Sequence, residues 1–60
     1  MNNYFKLIDR ISGEIRECSF LQPLRELWID LIQDYQRQGV ETYVEYLGNG
    51  VYELKEYLIK

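Results

Sequence analysis

Sixty residues can build one hydrophobic core, so the chain reads as a single domain over residues 1–60. With one cysteine, Cys18, and no histidine, it has neither an internal disulfide nor a zinc-ligand spacing to reinforce a core of that size. Seven Lys and Arg against ten Asp and Glu leave a formal charge of −3, the wrong sign for neutralising phosphates or for docking on an anionic membrane.

In chain order, Tyr4 to Asp9 is rich in aromatic and aliphatic residues and reads as a strand. Asp9-Arg10-Ile11-Ser12-Gly13-Glu14 is turn chemistry, in which the Asp9 carboxylate caps free amides and Gly13 takes a positive φ. Ile15 to Cys18 then returns antiparallel to the first strand. Before that, Met1-Asn2-Asn3-Tyr4-Phe5-Lys6 lacks the basic start and long apolar stretch of a signal peptide, and no apolar run reaches bilayer length. Together with a lone cysteine, this leads to the expectation of a cytoplasmic setting.

Ser19 and Gln22 have capping-box spacing, and Pro23 belongs in the first turn of a helix, which fixes the start only to within two or three residues. At about 100° per residue, Leu21, Leu24, Leu27, Trp28, Leu31, Ile32 and Tyr35 form one continuous arc. Gln22, Glu26, Asp30, Gln33, Asp34 and Arg37 fall opposite, Ile29 lies at the margin, and Gly39 is a natural residue to end the helix.

Val40 to Leu47 and Val51 to Ile59 alternate and are joined by Gly48-Asn49-Gly50. A two-residue Asn49-Gly50 loop pairs Val44 with Lys55 and mixes polar and apolar residues on both faces. A three-residue loop with Gly50 left-handed pairs Val44 with Leu54, Tyr46 with Tyr52 and Val40 with Leu58. That register gathers Val40, Thr42, Val44, Tyr46, Tyr52, Leu54 and Leu58 on one face, as burial requires, and opposes Glu45 to Glu53. The expected fold is α+β with element order ββαββ: a four-stranded, mostly antiparallel sheet with one amphipathic helix packed on one face. This element order resembles that of the immunoglobulin-binding domains of bacterial surface proteins, whose first and last strands pair at the centre. The likeness is one of element order alone and implies nothing about function.

One helix covers one face of such a sheet. The other carries Glu41, Tyr43, Glu45 and Leu47 beside Val51, Glu53, Lys55, Tyr57 and Ile59. Tyr43, Leu47, Val51, Tyr57 and Ile59 are the candidate contact residues, since contiguous apolar surface marks an interface, whereas scattered apolar residues on a wetted face carry no message. Self-association into a homodimer is the simplest use of that face, and edge-strand pairing is a second route. Glu26, Asp30 and Asp34, at i, i+4 and i+8, line one helix ridge that either docks on a basic partner or is a solvated face softened by Arg37.

No catalytic constellation accompanies these surfaces. Histidine is absent, Cys18 has no activating base and reads as a structural thiol, and Gly48-Asn49-Gly50 is a hairpin turn and no phosphate loop. No catalytic, cofactor or metal residue is assigned. The expectation is a non-enzymatic protein-interaction module, a small acidic regulator or inhibitor of a larger protein. A reading from another class is a single-stranded nucleic-acid binder stacking bases on sheet tyrosines, which Glu41, Glu45 and Glu53 oppose. A small enzyme is a third.

Overall fold

A computed structural model describes residues 4–58, which form β1 (Phe5–Asp9), β2 (Ile15–Cys18), α1 (Leu21–Arg37), β3 (Thr42–Gly48) and β4 (Val51–Glu56). The strands make one sheet in the order β2-β1-β4-β3. Two antiparallel hairpins meet along a parallel β1–β4 pair, which places Leu7 beside Tyr52 and Asp9 beside Leu54. This is the expected α+β arrangement, ββαββ, with a mostly antiparallel sheet.

The alternation of each strand decides which side the helix covers. Leu7, Leu24 and Leu54 are fully buried, one each from β1, α1 and β4. Phe5, Cys18, Trp28, Leu31, Ile32, Tyr35, Val44 and Tyr52 pack around them. Trp28 lies over Tyr52 with ring centroids 4.9 Å apart, and Tyr52 over Tyr46 at 4.8 Å. Most of the expected helical arc therefore faces the sheet. Leu27 stands more exposed than that arc implied, and Tyr46, on the helix side of the sheet, is 59% exposed. A single 17-residue helix leaves the end of the second hairpin bare.

The helix start corrects the expectation. Phe20 is the N-cap, in extended conformation, and no side chain caps the helix, so Ser19 and Gln22 form no capping box. Pro23 supplies the reason. Ser19 as N-cap would put Pro23 at the fifth position, whose N–H must donate to the N-cap carbonyl. With Phe20 as N-cap, Pro23 is at the last position whose N–H needs no helical partner. The helix end is as expected: Gly39, at φ +82°, donates to the Gln36 carbonyl at 3.0 Å, and Val40 to the Tyr35 carbonyl at 2.8 Å. These two bonds are a complete Schellman motif.

In the second hairpin the ladder runs in the expected register, with Val44 opposite Leu54, Glu45 opposite Glu53 and Tyr46 opposite Tyr52. The tip differs from a simple three-residue loop. Gly48 faces Val51 across Asn49 and Gly50, both at positive φ, and a bulge between Tyr46 and Gly48 restores the register below it. A side chain at Gly50 would meet the Tyr4 carbonyl oxygen at 3.0 Å, and the Gly50 carbonyl accepts from the Lys6 amide, so this glycine lets the turn dock on β1. The strands are shorter than expected at their outer ends. Val40 is engaged in the helix cap, the last rung is the Tyr57 amide donating to the Glu41 carbonyl at 2.7 Å, and Leu58 lies outside the core, 73% exposed.

Candidate functional site

Strand alternation sends Lys6, Ile8, Ile15, Glu17, Tyr43, Glu45, Val51, Glu53 and Lys55 to the side of the sheet away from the helix. Its centre is charged. Glu53 accepts a hydrogen bond from Arg10 on one side and pairs with Lys55 at 3.1 Å on the other, and Lys55 also reaches Glu45 at 2.9 Å. Arg10 and then Lys55 hold the Glu53 carboxyl below its ordinary range. Glu45 and Glu53 in turn hold the Lys55 ammonium above its own. The opposed pair Glu45 and Glu53, a cost when read from sequence, is bridged by this one lysine.

The charged row divides the apolar residues named from sequence. Leu47 and Val51 lie by the hairpin tip, while Tyr43 and Tyr57 lie at the far end, edge to face with ring centroids 6.2 Å apart. Tyr43, Tyr57 and Leu58 line an open hollow there. Sequence alternation puts Leu58 on the buried face, but the pairing ends at the Tyr57 rung, and Leu58 beyond it stands exposed at this surface. Ile59 lies outside the described residues. The tyrosines are split between the faces, with Tyr46 and Tyr52 on the helix side.

On the helix, Glu26, Asp30 and Asp34 are exposed along one ridge. Gln22 donates to Glu26 at 3.4 Å, and Asp34 pairs with Arg37 at 3.2 Å, as the softened-ridge reading anticipates. Among the described residues no three His, Cys, Asp or Glu side chains converge as a metal-binding set.

Asp9, only 2% exposed, has a role that sequence gave in part. Its Oδ1 accepts from the amides of Ile11 at 2.9 Å and Ser12 at 3.2 Å, the expected turn cap, and Gly13 is at φ +83°. Its Oδ2 accepts from the Tyr35 hydroxyl at 2.7 Å, which ties the first turn to the last third of the helix. Burial pushes the Asp9 carboxyl up, but the bonds from Tyr35, Ser12 and Ile11 outweigh it and the net direction is down. Burial and then the Asp9 contact push the Tyr35 phenol up. The signal for this tie was the shared face: Asp9 falls on the helix side of β1, and Tyr35 closes the helical arc.

No helix among the described residues is long and apolar enough to cross a membrane. No protein-family model matches the chain, and no curated protein or solved structure matches it significantly.

Proposed function

We propose that this chain is a non-enzymatic protein-interaction module whose contact surface is the outer end of the second hairpin, around Tyr43, Tyr57 and Leu58. One observation carries the reading. These side chains are 41%, 54% and 73% exposed around a shared hollow, on a domain whose fully buried apolar side chains, among the described residues, are three leucines. Neighbouring apolar groups left in water favour association, and aromatic side chains add contact area at low conformational cost. The two least exposed carboxylates, Asp9 and Glu53, are engaged by donors within the chain, which favours binding over catalysis. The acidic balance suits a partner with basic residues around its pocket, as a small regulator or inhibitor of a larger protein would meet. The unpaired Cys18 fits a cytoplasmic setting.

The test is site-specific photo-crosslinking. A photoreactive phenylalanine analogue at Tyr43 or at Tyr57 is expected to trap a protein in the native cell, whereas the same group at Asp30 on the helix ridge traps none. Adducts from the Asp30 position alone would move the contact surface to the helix, and no protein adduct from either tyrosine position would overturn the reading.

A further inference from the structure

The sheet has two edges of different character. β2 has four residues and carries Arg16 and Glu17, with Arg16 paired to Glu14 at 3.5 Å, so it is short and charged in the way that discourages further pairing. β3 has seven residues, Thr42-Tyr43-Val44-Glu45-Tyr46-Leu47-Gly48, with one charge and no proline. The rung from the Tyr57 amide to the Glu41 carbonyl sets which of its backbone groups are used. In an antiparallel pair, alternate residues exchange both hydrogen bonds with the partner strand, so Tyr43 and Glu45 bond inward to β4. The amides and carbonyls of Thr42, Val44 and Tyr46 point away from the sheet.

We infer that the β3 edge pairs antiparallel with β3 of a second copy of this chain, about a two-fold axis at Val44, to make a continuous eight-stranded sheet. The inference rests on the interaction-module reading and gives the same hairpin a second contact, through its edge, with another copy of the chain. The strand is self-complementary in one register, without like charges directly opposed, which argues for a second copy as the occupant. With the axis at Val44, all three outward-facing residues are used: Val44 meets Val44 of the second copy, and Thr42 meets Tyr46 in both directions. Glu45, the one charge on the strand, then lies opposite Tyr43 of the second copy. Shifting the axis to Glu45 opposes that carboxylate to itself, and shifting it to Tyr43 opposes Glu45 to Glu41, so the neighbouring two-fold registers each set like charges face to face. The pairing would also cover part of Tyr43 and Tyr46, both exposed beside this edge.

The register gives a test that reads position as well as mass. Across the axis Tyr43 and Glu45 form a non-hydrogen-bonded pair, with Cα atoms about 4.5 Å apart and within disulfide reach, whereas Tyr43 to Tyr43 spans the diagonal of about 7–8 Å. In a Cys18→Ala background, chains carrying Tyr43→Cys are mixed with chains carrying Glu45→Cys under mild oxidation. The expected result is a disulfide-linked dimer from the mixture and none from either chain alone. Light scattering on the unmodified protein over a dilution series is expected to give twice 7.3 kDa at the upper end. Thr42→Pro, which removes an outward N–H and so two of the cross-axis bonds, is expected to raise the dissociation constant at least tenfold. A monomer at every concentration overturns the inference, as does a dimer whose cross-links report another register. Failure of this pairing with Tyr43 photo-adducts to a different protein would leave the interaction-module reading standing, and failure of both would remove it.

Discussion

Asp9 and Glu53 are almost equally hidden, at 2% and 5% exposure, yet they sit on opposite faces of one sheet and are hidden by different things. Asp9 lies between sheet and helix, and its donors are neutral: one phenol and two backbone amides held by a turn. Glu53 lies on the side with no second layer. It is roofed by Arg10, whose side chain is 61% exposed, and by Lys55. Little exposed area is thus not the same as burial. The Asp9 arrangement rests on hydrogen bonds from neutral groups, whereas the Glu53 arrangement rests on charged side chains that are themselves partly exposed. The first should set the stability of the fold and ignore salt. The second should organise a surface and feel salt strongly.

The largest expected effect comes from removing Asp9. Asp9→Ala strands the Tyr35 hydroxyl and the Ile11 and Ser12 amides at once, and each donor left without its partner costs about 1 kcal/mol, the low end of the usual range, because the turn amides lie near water. A loss of about 3 kcal/mol in urea unfolding is expected, a large fraction of what a domain of this size has. A loss under about 1 kcal/mol would erase the distinction between the two carboxylates. Tyr35→Phe removes one of the three donors and leaves the turn cap, so about 1 kcal/mol is expected. A double-mutant cycle of the two substitutions should return a coupling of about 1 kcal/mol, because each single change breaks the same bond.

The pH dependence sharpens this further. Since the Asp9 carboxyl is held below its ordinary range, between the folded and unfolded values the unfolded chain holds a proton that the folded chain lacks. Stability therefore rises with pH across that interval. The Asp9 contribution is complete above about pH 4 and is lost as pH falls through the folded value. Tyr35 works at the other end: its folded value is raised, so its contribution is complete below about pH 10 and is lost as pH rises beyond that. In high salt, which screens the Lys55 pairs, Tyr35→Phe is expected to flatten the alkaline limb of stability against pH. An unchanged limb would mean that the phenol contact is not its source.

How much of this was legible beforehand differs by element. The second hairpin was readable because side chains alternate with period two, so only one register put Val44 and Leu54 on the same side. The helical arc and the Gly39 stop were readable for similar reasons of period and backbone freedom. The capping box was a misreading that Pro23 could have prevented, since a proline five positions into a helix lacks a donor the helix needs. The bulge at Leu47 and Gly48 was hidden because two loop lengths share one ladder once an extra residue is inserted. For the candidate surface, alternation put Tyr43 and Tyr57 on the same side. It could not reveal that Arg10, a turn residue far along the chain, reaches Glu53 and separates those tyrosines from Leu47 and Val51. That contact depends on β1 lying parallel beside β4, a strand order that no local pattern encodes.

The smallest expected effect is the one that isolates the Glu53 arrangement. Glu53→Gln keeps the shape and an acceptor for Arg10 but removes the charge that Arg10 and Lys55 share, so its unfolding midpoint should fall by less than that of Asp9→Asn in dilute buffer. Adding 1 M salt should close most of the gap between Glu53→Gln and the parent, because at that ionic strength screening acts over about 3 Å. The gap for Asp9→Asn should persist, because its donors are neutral and present little for ions to screen. If instead both gaps close together, Asp9 is wetter than its 2% exposure indicates, and the two carboxylates are the same kind of site. If neither closes, Glu53 is held by geometry as Asp9 is. The charged row across the open face would then be a rigid divider between Tyr43 and Val51, and any partner would have to fit around it.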